Sequence, residues 1–421
     1  MSLHSIRASL LAIATAIILA ACGGSSTKST PPPPVGGISV AAGDSQVTVS
    51  WKETPGVEYW IFAAPNNPSL TLSNWLATSG SSYRLKVTSP FVVTGLVNGT
   101  SYSFFMTARI NGGPGGDATP TVSATPRLAG TEWVESTALN TGSKTGLTYG
   151  SYVETATNTV KSVYLAVGNG GRMFNATNLG TWNTLNPVVT SDLTAAEFAF
   201  AKFIAVGTAG KVIYSTDTSS WTAATSVTAQ NLNAIASNGS IAISVGDNGT
   251  ILTSKDAITW SVATSVPSSA HLYGVAFTTA GNWVAVGAGG TILTSADGVT
   301  WTLQTSGTTA ELKAAGAVAT LSTSGTATYQ FVVVGATGTV LTSPDAINWT
   351  AQNAKTNANL NALVAVNQFL AVGSNGTVIT SQDGLTWNQQ ASKTTANLNT
   401  LLRAGNQYIS VNNIGGVISS Q

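Results

Sequence analysis

Charge is scarce in this chain. Only 8% of its 421 residues are Asp, Glu, Lys or Arg, and the formal net charge is +1. No basic patch is available for nucleic acid, whose recognition rests on clustered Lys and Arg. Histidine occurs only at His4 and His271, and cysteine only at Cys22. There is no H-E-x-x-H pair, no G-x-S-x-G elbow and no phosphate-binding loop. Metal-assisted and serine hydrolysis therefore lack their usual residues, and neither a cofactor nor a metal is expected. A membrane-spanning run is missing too. The apolar stretch from Ala8 to Leu19 is too short to cross a bilayer and reads as the core of a signal peptide, Met1–Ala21.

What the chain has in abundance is repetition. Phe369–Trp387 reads FLAVGSNGTVITSQDGLTW, and near-copies occupy Trp283–Trp301, Ile243–Trp260 and Phe331–Trp349. Each copy reads as short β-branched runs separated by turn residues, with the tryptophan starting a further strand. A Val-Gly anchor recurs at Gly168, Gly207, Gly246, Gly287, Gly335 and Gly373, then degraded at Val411-Asn412, with spacings of 39, 39, 41, 48, 38 and 39 residues. A leucine opens each unit at Leu147, Leu193, Leu232, Leu272, Leu312, Leu360 and Leu398. A tryptophan closes six of them, at Trp182, Trp221, Trp260, Trp301, Trp349 and Trp387. The seventh unit stops at Gln421 without one, and the missing piece is expected in Thr131–Ser136, with Trp133. Units of about 40 residues with four strands are propeller blades. The expected fold is all-β, with a seven-bladed β-propeller over 128–421 closed by its own N-terminal strand. The long spacing of the fifth unit predicts a loop extension near Thr320–Thr328, and the first unit is similarly extended around Thr155–Thr159.

Five units carry Ser-x-Asp before the tryptophan: Ser215/Asp217, Ser254/Asp256, Ser295/Asp297, Ser343/Asp345 and Ser381/Asp383, while the first has Asn178. The pattern resembles the Asp-box of sialidases in a form one residue shorter, and the repeats of photosystem II assembly-factor-like propellers. A short carboxylate accepts backbone N–H groups within its own turn, so the five aspartates are expected to be structural. A sialidase also needs an arginine cluster, whereas the propeller has only Arg172 and Arg403.

Upstream, Leu19-Ala20-Ala21-Cys22-Gly23 resembles the lipobox of bacterial lipoproteins. The resemblance implies cleavage before Cys22, lipid on that residue, and a membrane partner. The segment 22–37 reads as a Pro-rich tether. Because no acidic retention signal follows Cys22, the outer membrane is the expected location. The segment 38–127 alternates as several short strands. Trp51, Leu96, Asn98-Gly99-Thr100 and Tyr102 make it resemble a fibronectin type III β-sandwich with a tyrosine corner. No Arg-Gly-Asp triplet is present, so the expected role is a spacer.

Function is expected where units differ. The residue before each opening leucine reads Gly146, Asp192, Asn231, His271, Glu311, Asn359 and Asn397, and the residue after it Thr148, Thr194, Asn233, Tyr273, Lys313, Asn361 and Asn399. On an innermost strand these side chains crowd one mouth of the central channel. Asp192, Asn231, His271, Tyr273, Glu311 and Lys313 are the candidate ligand-binding residues, for a protein or glycan ligand. Turn-forming asparagines also satisfy strand starts without any ligand, the simpler account of Asn359 and Asn397. Three functions compete: a non-catalytic binding lipoprotein, an assembly factor for an envelope complex, and a glycosidase using Asp192 and Glu311.

Overall fold

The computed structural model describes residues 36–110, 115–139, 145–225, 227–321 and 327–420. Cys22, the signal segment and most of the tether lie outside the described residues. The chain divides into two compact units, Met1–Ala129 and Gly130–Gln421.

The first unit holds two antiparallel sheets. One pairs Ser39–Gly43, Gln46–Ser50 and Phe91–Thr94, and the other orders Ser82–Val87, Val57–Pro65, Tyr102–Ile110 and Val122–Ala124. Alternation sends Val47, Val49 and Val93 from one sheet, and Tyr59, Ile61, Phe104 and Met106 from the other, into a shared core. Trp51 follows its strand instead of ending it, and its ring lies 5.5 Å from that of Tyr59. The Tyr102 hydroxyl accepts the Val97 N–H at 3.2 Å, the backward tie that a tyrosine corner makes. On the opposite face of the larger sheet, Phe62 and Phe105 stack 4.8 Å apart, and Trp75 and Leu70 cover them.

The second unit contains seven four-stranded antiparallel sheets among the described residues. Six run in simple chain order. In the sixth, for example, Leu360–Ala365, Phe369–Gly373, Val378–Ser381 and Asn388–Gln390 pair in succession. The second strands, such as Ala242–Gly246 and Phe369–Gly373, are buried along their whole length, because both faces meet neighbouring sheets. Their largely apolar composition follows from that, with Ser244 bonded to the Ala234 carbonyl as a satisfied exception.

The Ser-x-Asp turns are built alike. In the sixth sheet the Ser381 hydroxyl donates to Asp383 Oδ1 at 3.0 Å and accepts the Gly384 N–H at 2.8 Å. Asp383 Oδ1 also accepts the N–H groups of Leu385 and Thr386, both at 2.8 Å. The Thr386 bond is the main reason the Asp383 carboxyl sits below its ordinary value, with partial burial opposing it. In the fourth sheet the Thr300 and Val299 N–H groups bring Asp297 down to about 2. The tryptophan that follows does not begin a strand. Trp387 lies between the turn and Asn388–Gln390, fully buried, and its indole donates to the Gly384 carbonyl at 2.8 Å. It shares a buried cluster with Val332 and Val334 of the preceding sheet as well as Phe369 and Ile379 of its own, so the aromatic fills the space between sheets.

The last sheet is assembled from both ends of the unit. Leu402–Ala404, Gln407–Val411 and Gly416–Ser420 receive Val134–Ala138 as their fourth strand, with Val134 opposite Ser419 and Glu135 opposite Ile418. Trp133 is completely buried and its indole donates to the Gly130 carbonyl at 3.0 Å. Gly130 in turn gives its N–H to Ser420 Oγ at 2.9 Å. These are the bonds of Trp387, Gly384 and Ser381, rebuilt from residues 290 positions apart. Leu139 and Leu147 share a buried cluster with Ile409 and Val417, joining the first sheet to the last.

Two expectations about extensions are corrected. The extra residues near Thr320–Thr328 lengthen a hairpin: Leu312–Leu321 pairs with Ala327–Gly335 down to Leu321 opposite Ala327. Residues 322–326 lie outside the described set. Around Thr155–Thr159, Thr159 already pairs with Glu154, so only a short turn remains. Continued ladder pairing satisfies backbone groups that a loose loop would leave to water.

Candidate functional site

The close approach at each Val-Gly anchor sets the position of the site. A Cβ on Gly207, Gly246, Gly287, Gly335 or Gly373 would lie 1.9–2.2 Å from the carbonyl oxygen of the residue before the opening leucine. That carbonyl accepts the next N–H of the anchor turn: Asp247 to Asn231 at 2.9 Å, Ala288 to His271 and Ala336 to Glu311 at 2.8 Å. The residue preceding the leucine is therefore held at one place in the second to sixth sheets, and these sheets differ in what its side chain does.

In four sheets it is a clip. Asp192, Asn231, Asn359 and Asn397 accept the N–H of the middle turn residue one sheet back, Gly170, Ala209, Thr337 and Asn375, at 2.8–3.0 Å. The residue after the leucine makes a second link. Thr194 donates to the Leu232 carbonyl at 2.5 Å, and Asn233 and Asn361 donate to the Leu272 and Leu398 carbonyls at 2.9 Å.

The fourth and fifth sheets break this scheme. Among the described residues, no side chain of the next sheet reaches the N–H of Asn248 or Gly289, the two turn residues that His271 and Glu311 would clip. His271 Nδ1 instead pairs with Asp247 Oδ1 at 3.1 Å, and Glu311 takes Lys313 Nζ at 2.7 Å. Lys313 Nζ also lies 3.7 Å from the centre of the Tyr273 ring, a cation–π contact. The Tyr273 hydroxyl points at Glu311 Oε1, 3.5 Å away. Asp247 collects Asn231 Nδ2 at 2.9 Å and Asn233 Nδ2 at 3.0 Å besides His271. Partial burial works to raise its pKa, but the Asn233, Asn231 and His271 contacts outweigh it and hold the carboxyl low. The Lys313 bond does the same for Glu311, while burial and then Glu311 push the Tyr273 phenol up. His271 and Glu311 remain about half exposed, at 49% and 51% of their side-chain surface.

A pocket of about 660 Å³ opens at the unclipped Gly289 turn, lined by residues other than those of the cluster. Its wall includes Gly289 and Gly290, which follow the Ala288 N–H bonded to the His271 carbonyl, and Thr308 and Thr309, which precede Glu311 by three and two positions. Five of the six candidate residues thus meet in one patch: His271, Tyr273, Glu311 and Lys313, with Asn231 joined through Asp247. Asp192 is placed elsewhere, clipped to Gly170. Asp247 is a member that the repeat comparison overlooked. It is the only acidic residue opening an anchor turn, among Asn169, Thr208, Ala288, Ala336 and Ser374, a signal that was present in the sequence.

Glu197 was also overlooked. It sits four residues past Leu193, where the third to sixth sheets have Ala236, Ala276, Gly316 and Val364. Crowding by neighbouring protein raises its pKa to about 8 against one opposing bond from the Phe198 N–H. The residue still keeps some solvent contact, so the cost is smaller than for a dry site. The unfolded chain releases this proton near 4.5 and the folded one near 8, so stability is lost as pH rises between those values. Glu197→Gln should stabilise the protein by roughly 2 kcal/mol at pH 8 and not at all at pH 4. Thermal melts at the two pH values check this, and an equal gain at both would remove the ionisation as its cause.

No protein-family model matches the sequence, and no curated protein matches it. Solved structures do resemble it. A YCF48 bound to a D1 peptide is 19% identical with TM-score 0.53, covering 70% of this chain and 99% of its own. YCF48 from Cyanidioschyzon merolae is 17% identical with TM-score 0.50, covering 69% and 98%. A catalytically inactive virginiamycin B lyase from Staphylococcus aureus with quinupristin is 12% identical with TM-score 0.54, covering 69% and 99%. At these identities the likeness speaks for architecture alone, and the chain carries a β-propeller-like fold.

Proposed function

We propose that this chain is an exported lipoprotein whose propeller binds a segment of another protein without catalysis. In this reading Met1–Ala21 is removed, Cys22 is lipidated, 22–37 is a tether, 38–127 is a fibronectin type III spacer, and 128–421 is a seven-bladed propeller closed by Val134–Ala138. The lipobox resemblance supports the anchor, with the outer membrane favoured, and the tyrosine-corner bond supports the spacer. The observation that carries the binding role is local. Two adjoining sheets give up the clip that the others make, and they leave His271 and Glu311 about half exposed, with Tyr273 and Lys313 packed beside Glu311. Structural economy does not call for that, because the regular clips were available to the same scaffold.

An assembly role fits this reading, since a protein of similar fold binds a peptide. A glycosidase fits poorly. Its general acid must hold a proton near neutral pH, but Lys313 keeps Glu311 ionised and Asp192 is spent on Gly170. A photo-crosslinking residue at Thr309 should trap a discrete protein adduct in envelope fractions, and one at the exposed Val160 should not. Lys313→Glu should abolish the adduct, and Cys22→Ser should release the protein from membranes. Identical adducts from Thr309 and Val160, or none from either, would defeat the binding role; membrane retention of Cys22→Ser would defeat the anchor.

A further inference from the structure

The four intact clips show what the two open positions are shaped to accept. In each, a side-chain oxygen of Asp or Asn receives one N–H of a tight turn, and three of the four are asparagine. Asn231 gives the full pattern: its oxygen accepts from Ala209 at 3.0 Å, and its amide donates to the Asp247 carboxylate at 2.9 Å. At Gly289 the same N–H is exposed at the pocket wall, nothing lies within 4 Å of where its Cβ would be, and a carboxylate, Glu311, stands where the clip should originate.

We infer that the Gly289 turn is a receptor for the side-chain carboxamide of an asparagine in a partner polypeptide, which takes the place of the missing clip. The ligand oxygen accepts the Gly289 N–H, and the ligand amide donates to Glu311, as Asn231 does to Asp247. Charge selects the amide over an acid. Glu311, the carboxylate nearest the open turn, already has Lys313 Nζ at 2.7 Å, so an incoming carboxylate meets like charge whose cation is taken, while a carboxamide satisfies both the N–H and the carboxylate. Asn248, whose N–H is also unclipped, is a second position of the same kind, with His271 and Asp247 beside it. This inference rests on the proposed protein-binding role and specifies its chemistry.

The test is amide NMR of the full mature chain titrated with the blocked tripeptides Gly-Asn-Gly, Gly-Asp-Gly and Gly-Ala-Gly, and with N-acetylglucosamine. The Asn peptide should move the Gly289 resonance selectively. Glu311→Asn should weaken that response by on the order of tenfold, about one hydrogen bond's worth, because the new side chain supplies the clip internally. The same variant should melt no lower than the parent, which separates a filled site from a damaged one. Equal shifts from the Asp or Ala peptide, a response to the sugar alone, or an unaltered response in Glu311→Asn would overturn the inference. If Thr309 crosslinking persists in that event, binding stands and only the carboxamide assignment falls; if crosslinking fails as well, the binding role falls with it.

Discussion

Trp133→Ala is expected to destabilise Gly130–Gln421 by about 4 kcal/mol, the usual cost of emptying a tryptophan-sized space in a core. That is a large part of the ~5–15 kcal/mol that holds typical domains together. For a unit of this size it corresponds to a fall in Tm of roughly 10 °C. Trp133 is fully buried and ties Gly130, which is itself bonded to Ser420. Losing it opens the junction between the two ends of the unit, where Val134–Ala138 completes the last sheet. Fraying there exposes Gly416–Ser420 as an unpaired edge. Circular dichroism melts compare Trp133→Ala with Val134→Ala, whose side chain is 64% exposed and should be near neutral. Limited proteolysis should cut the Trp133 variant first near its C-terminus. Equal melting of the two variants would mean that the last sheet does not depend on its borrowed strand.

Gly287→Ala is the second large effect. The backbone at Gly287 is extended, with φ −167°, so alanine meets no conformational penalty of its own. Its methyl would stand 2.1 Å from the His271 carbonyl oxygen and 3.0 Å from the Leu272 Cα. Backbone must move, the bond from the Ala288 N–H to that carbonyl is strained, and overpacking of this kind costs about 3 kcal/mol. Because the carbonyl belongs to His271, the change displaces the candidate site as well. Lower Tm together with lost Thr309 crosslinking is the expected pair of results. An unchanged Tm would show that the sheets are not packed as closely as the anchor glycine requires.

Repetition made most of this architecture legible. Leucine, Val-Gly, Ser-x-Asp and tryptophan recur because each answers a local need: a buried strand start, a backbone contact too close for a Cβ, a self-capped turn and an aromatic that fills the space between sheets. The clip was not legible in the same way. Its acceptor is Asn or Asp, which turns use freely, and its donor is a backbone N–H 22 residues upstream that no residue type betrays. So Asp192, which breaks the repeat chemically, is a clip like Asn359, whereas His271 and Glu311 break it in function too. The raised Glu197 pKa was not legible either, because burial on folding and not the neighbouring sequence is its main cause.

By itself the sequence determined the period, the strand and turn chemistry of each unit, and the places where one unit departs from the rest, since all of these depend on residues within a few positions of one another. Only the tertiary structure decided that Trp133, Gly130 and Ser420 form one turn, that hairpins grow longer in place of loops, and which departures meet in a patch. Those outcomes depend on which sheet lies beside which, and on backbone groups whose partners are brought close by packing alone.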